Sequence, residues 1–289
     1  MDRTEAFTQH RPLLFSIAYR MLSSVMDAED MVQETFLRWQ QVDDTGVRSP
    51  KSYLSTVVTR LCIDQLRSAR LRREEYIGPW LPEPLVTAGL EEDVALADSI
   101  SMAFLVVLES LSPTERAAFL LREVFDYEYD EVARILDKSE ANCRQLVHRA
   151  REHVSERRPR FDASREEAEA IARRFFEAAR TGDMDALLDM LAPDATLWSD
   201  GGGKVSAAIN PVYGARKVAR FVAGVNRKAP PNTRSRMIAV NGQPGVVSYL
   251  GDEPYVVAVA DIVDGKVCGI RAISNPDKLQ RLPRLSQAQ

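Results

Sequence analysis

The sequence predicts a multidomain chain of two all-α units followed by an α+β domain, a small cone with a curved sheet. Three observations predict it. Apolar residues recur at helical spacing through roughly the first half of the chain. Capping boxes open helices at Ser112 and Ser164, and the texture turns to β-rich runs after residue 195. A length of 289 residues accommodates two or three domains.

The first unit is read as 1–75. Leu13, Leu14, Ile17, Ala18, Met21 and Leu22 fall on one helical stripe, and Met31, Val32, Phe36 and Leu37 on a second. The polar segment 40–50 breaks the pattern at Gly46, and Ser49-Pro50 reads as an N-cap with proline at the first helical position. The helix it opens turns Tyr53, Leu54, Val57, Val58, Leu61 and Leu66 inward and basic residues outward. Residues 76–99, with Gly78, Pro79, Pro82, Pro84 and Gly89, cannot be one helix and read as a linker. The second helical unit is read as 100–158. Ser112-Pro113-Thr114-Glu115 specifies a helix start. A short helix over 129–136, a turn at Asp137-Lys138 and a helix from Ser139 then have helix-turn-helix spacing. Cys143, Leu146, Val147, Ala150 and Val154 form the apolar face of the last helix. The α+β domain is read as 163–289: two helices, a strand at 195–199, a helix near 215–227, and strands at 233–240, 245–250, 254–263 and 266–274. Asp264-Gly265 signals a tight hairpin in it.

The net charge of −4 hides an uneven distribution. Residues 48–75 hold seven basic against three acidic side chains, and 134–160 hold eight against four. Between them, 76–133 hold twelve acidic and two basic. Two basic islands predict two nucleic-acid-facing surfaces, although a charge run is also what a solvated helix face looks like. No run approaches the roughly 20 apolar residues of a membrane span, and the polar N-terminus predicts no secretory signal, so a cytoplasmic protein without membrane partners is expected. Cys62, Cys143 and Cys268 stand far apart, which argues against disulfides and structural zinc. No cofactor and no metal are expected.

Segment 27–39, DAEDMVQETFLRW, followed by 49–75, SPKSYLSTVVTRLCIDQLRSARLRREE, resembles region 2 of extracytoplasmic-function sigma factors. Segment 111–136 with 144–154 resembles their region 4. WLPEP (80–84), DGGGK (200–204) and NPDKL (275–279) resemble the marks of members carrying a fused SnoaL-like domain of the NTF2-like class. The resemblance implies a non-catalytic polymerase subunit. Ser139, Arg144, Gln145, His148 and Arg149 would read the −35 element, and Arg48, Lys51, Tyr53, Arg60, Arg67 and Arg70 would hold the −10 element. Trp39 is expected in the core rather than on the DNA. Asp30, Gln33 and Glu34 would dock on core RNA polymerase.

The resemblance also implies that the SnoaL-like domain acts in cis, so that a separate anti-sigma factor is not required. The contact region would comprise Trp80, Leu81, Pro82, Glu83 and Pro84; Asp200, Gly201, Gly202, Gly203 and Lys204; and Asn275, Pro276, Asp277, Lys278 and Leu279. Two other readings stay open on residues alone: an autonomous helix-turn-helix regulator with a ligand-binding cone, and a SnoaL-type enzyme. Asp200, Asp261, Tyr213, Tyr249 and Tyr255 could supply acid–base groups, but no histidine follows His153, and no convincing catalytic set emerges.

Overall fold

The computed structural model describes residues 3–42, 47, 49–73, 76–87, 100–155 and 164–287, without the side chains of 69–73 and of Arg165. The chain forms two compact units, Met1–Glu75 with Phe104–Arg158, and Tyr76–Ala103 with Pro159–Gln289. The linker therefore belongs to the same unit as the C-terminal domain.

In the helical unit, α1 (Arg3–Leu22) ends where Ser23 takes a left-handed φ of 56°. Ser24 then caps α2 (Val25–Gln40), its Oγ accepting the Asp27 N–H. With α3 (Pro50–Arg73) these helices bury Leu14, Ile17, Met21, Ala28, Val32, Leu54, Val58 and Cys62. Trp39 is buried as expected, its indole N–H donating to the Arg3 carbonyl at 2.9 Å. Leu37, on the second apolar stripe of the sequence, is 49% exposed.

The helix α4 (Met102–Leu108) lies in an apolar run whose sequence shows no clear periodicity. The capping box at Ser112 opens α5 (Pro113–Phe119), which continues as a π-helical turn over Leu120–Val124. The helix-turn-helix follows as α6 (Tyr129–Leu136) and α7 (Glu140–Ser155). Asp137, at φ 52°, supplies the left-handed turn residue for which glycine is the usual choice. Val132, Ile135, Cys143, Leu146 and Val147 share one core with Ala118, Leu121 and Tyr127.

The second unit carries α8 (Arg165–Thr181), opened by the Ser164–Glu167 capping box, and α9 (Met184–Met190). Strands β1 (Leu191–Asp200), β2 (Val212–Tyr213), β3 (Thr233–Val240), β4 (Gln243–Leu250), β5 (Glu253–Val263) and β6 (Lys266–Ile273) form one sheet ordered β2-β1-β6-β5-β4-β3. Only β1 and β6 pair in parallel. Helix α10 (Ala215–Arg227) packs beside β1, and the short α11 (Pro276–Leu279) follows β6. Three two-residue hairpins close the meander, at Asn241-Gly242, Gly251-Asp252 and Asp264-Gly265, and the first and last have positive φ at both positions. Ala172, Phe175, Leu187, Leu197, Val218, Ala260, Ile262 and Ile270 fill the space between sheet and helices.

Candidate functional site

Strand alternation sends Trp198, Asp200, Asp261 and Arg271 to the sheet face opposite that apolar core. Asp200, the last residue of β1, is fully buried. Its Oδ1 accepts the Tyr76 hydroxyl at 2.5 Å and the Gly202 N–H at 3.0 Å. Its Oδ2 accepts the Leu81 N–H at 2.9 Å and the Lys278 ammonium at 2.7 Å. Lys278 also donates to the Leu81 carbonyl, with Nζ 4.2 Å from the Trp80 ring centroid and 5.1 Å from that of Tyr76. A buried carboxylate is tolerated only when its lone pairs are satisfied and its charge is matched. Asp200 meets both conditions with linker and tail groups.

Asn275 completes this clasp. Its amide donates to the Tyr76 oxygen at 2.9 Å and its Oδ1 caps α11 by accepting the Asp277 N–H. A side chain on Gly202, at φ 61°, would run into Asn275. Lys204 pairs with Asp277, while Pro82, Glu83, Pro84 and Leu279 are buried. Gly201 packs against Val205 and Ala207, Gly203 beside Ile77, and Pro276 opens α11. Thus WLPEP, DGGGK and NPDKL meet in one place. Tyr76, unmarked in the sequence, lies at its centre; burial, then its bond to Asp200, pushes its phenol well above the ordinary value.

A second linker contact was not foreseen. Fully buried Asn241 accepts the Leu85 N–H at 3.0 Å through Oδ1 and donates to the Ile100 carbonyl at 2.9 Å through Nδ2. Its backbone N–H donates to the Leu85 carbonyl at 2.7 Å, Thr87 bonds to Ala239 and Gly242, and Gln243 accepts the Met102 N–H at 3.2 Å. Gln243 also donates to Asp261, which forms a buried ion pair with Arg271 stacked on Trp198. Burial lowers the Arg271 guanidinium to about 10. The turn-forming dipeptide Asn-Gly was the signal that could have marked this place.

In the helical unit, Ser139, Arg144, Gln145, His148 and Arg149 are exposed on α7 or at its start. Ser139 receives the Asn142 N–H, a capping bond. Arg144 pairs with Glu140 at 2.9 Å and lies 4.4 Å from the Tyr129 ring centroid. His148 faces Glu152, and Arg149 faces Glu115. Of the −10 candidates, Lys51 lies over the Tyr127 ring, Tyr53 packs half-buried on Trp39, and Arg67 pairs with Asp64. Arg60 donates to the carbonyls of Ile135 and Arg134 at the end of α6. Arg48 and the Arg70 side chain lie outside the described residues. Asp30 and Gln33 are exposed on α2, in line with exposed Met26 and Leu37, while Glu34 pairs with Arg38.

The acid–base candidates of the cone do not assemble. Asp200 and Asp261 are committed as described, Tyr213 is 63% exposed, Tyr255 lies 3.2 Å from the Thr233 hydroxyl, and burial raises the Tyr249 phenol. Among the described residues no group of His, Cys, Asp and Glu could hold a metal, and no helix is long and apolar enough to cross a membrane.

Residues 6–72 match Sigma-70 region 2, 101–154 match Sigma-70 region 4, and 172–268 match the SnoaL-like domain. The chain is 40% identical to the ECF RNA polymerase sigma factor SigJ of Mycobacterium tuberculosis, over 96% of this chain and 93% of that protein. It belongs to the ECF RNA polymerase sigma factors. A probable ECF sigma factor of the same organism, SigI, is 31% identical over 96% of the chain and 94% of its own length. The crystal structure of SigJ superposes with a TM-score of 0.75 at 37% identity, covering 95% of this chain and 96% of that one. As an ECF sigma factor, the chain is a non-catalytic initiation factor that works with core RNA polymerase and promoter DNA.

Proposed function

We propose that region 4 of this ECF sigma factor reads the −35 element through α7, that region 2 holds the melted −10 element, and that the SnoaL-like domain adjusts both in cis. It does so by holding the linker, without need of a separate anti-sigma factor. The observation that carries the last part is the clasp at Asp200, a buried carboxylate satisfied by Tyr76, Leu81 and Lys278. Residues 76–87 could extend by roughly 3.3–3.6 Å each, a reach they do not have while bonded to the cone. Release of the linker therefore frees regions 2 and 4 to take separate positions on a promoter.

The exposed row on α7 supports base reading, since arginine bonds guanine at two points in the major groove. Asp30 and Gln33, flanked by Met26 and Leu37, offer a mixed face of the kind that docks on a partner. The test compares promoter-dependent transcription by core polymerase with the full chain, a chain ending at Arg158 and a chain ending at Ile273. Equal activity from all three removes the cis role. Arg144→Ala is expected to cost about 1–3 kcal/mol at one −35 position, whereas Arg67→Ala weakens all promoters alike and lowers the salt dependence. Equal losses on every promoter from both changes would refute the division into base and phosphate contacts.

A further inference from the structure

The sequence holds a third basic stretch. Residues 201–251 contain eight Lys or Arg and no Asp or Glu, whereas at the chain's average of 42 acidic residues in 289 about seven would be expected. Lys204 is tied to Asp277. The other seven cations have no carboxylate partner among the described residues, and all seven are exposed.

Five of them belong to α10 and its end: Arg216, Lys217, Arg220, Arg227 and Lys228. At 3.6 residues per turn these five fall within about one third of the helix circumference. The remainder of the circumference includes Val218, Ala219 and Ala223, which are buried in the cone. From Arg216 to Arg227 the row spans about 16 Å at 1.5 Å per residue.

Helix stability does not account for this arrangement. Arg216 and Lys217 stand in the first turn, where the helix dipole favours acids, and that turn holds none. Gly224 interrupts the same basic face, and a methyl group there would meet nothing within 4 Å. Packing therefore does not require the glycine, which costs about 1 kcal/mol relative to alanine in a helix interior. A bare backbone between flanking cations does suit the close approach of an extended polyanion.

We propose that the exposed face of α10 is a phosphate-binding surface for duplex DNA, a contact of the SnoaL-like domain with the nucleic acid that the sigma regions engage. It gives affinity without sequence preference, because phosphates carry the interaction and no base edge is read. A membrane surface fits less well: an interfacial helix needs its apolar face outward, and here that face lies in the cone core. The proposal does not depend on the cis regulation above.

The test measures binding of the full-length protein to a promoter duplex and to an unrelated duplex of equal length across a salt series. Arg220→Gln/Arg227→Gln is expected to reduce the slope of log K against log salt by about 1.8 on both duplexes, at about 0.9 per phosphate contact. Arg180→Gln, which removes an exposed cation already paired with Glu177, should leave the slope unchanged. Thermal unfolding of the double variant shows that the fold is intact, because both side chains are exposed. A wild-type slope on both duplexes overturns the proposal. So does an unchanged DNA slope with lost binding to phosphatidylserine vesicles, which would assign the face to membranes.

Discussion

The two faces of the cone's sheet are built to different rules. The helix-facing side is closed by alanine, leucine, valine, isoleucine and phenylalanine, including Ala172, Phe175, Leu197 and Ile270. The opposite side and its margins bury Asp200, Asn241, Asp261, Arg271 and Asn275, and Asp200 and Asn241 bond directly to linker backbone. An enzyme places polar groups inside a pocket; this domain places them on its linker-facing side. The difference teaches that the buried polar groups of this domain find their partners in the chain's own linker rather than in one another alone.

Breaking either face should have the largest effect on stability. Asp200→Ala leaves Lys278 and the Leu81 N–H without their partner and should cost the linker–cone unit about 3–5 kcal/mol in denaturant titration. Phe175→Ala on the apolar side should cost a similar amount, about 3–5 kcal/mol. Amide exchange separates them: only Asp200→Ala should speed local exchange at Leu81. Equal acceleration in both variants would erase the distinction between the faces.

A smaller effect divides the polar side itself. Asn241→Gly keeps the left-handed turn but strips two side-chain bonds, and should loosen Leu85 by about 2 kcal/mol while Leu81 stays protected. If Leu81 and Leu85 loosen together, the two linker contacts are one cooperative element. The smallest effect is one of pH. The folded Tyr76 phenol is held above its ordinary value of 10.0, so the unfolded state loses its proton first. The stability it contributes is complete below that pH and declines as pH rises above it. Tyr76→Phe should therefore show a weaker alkaline loss of stability than the wild type, and an identical decline would remove Tyr76 from the clasp.

Much of this was legible in the sequence where one local signal dictates one local structure. The Ser112–Glu115 and Ser164–Glu167 boxes specified helix starts, and the spacing around Cys143 specified the helix-turn-helix face. The meeting of WLPEP, DGGGK and NPDKL came from resemblance, because no periodicity brings Trp80 to Lys278. Tyr76 and Asn241 escaped notice for a physical reason: a lone polar residue shows its partners only after folding. Leu37 shows a limit of the pattern, because helical spacing identifies a stripe without saying whether a neighbour covers it.

The central claim is that the docked linker restrains the sigma regions, and Lys278 is the cation that joins the tail to it. The most direct measurement is initiation from one promoter by core polymerase, comparing the full chain with Lys278→Ala. Loss of a charge-assisted bond worth about 1.5–3 kcal/mol should raise initiation by about 10- to 150-fold by releasing the linker. Unchanged or lowered initiation, with Leu81 exchange accelerated, would contradict the account.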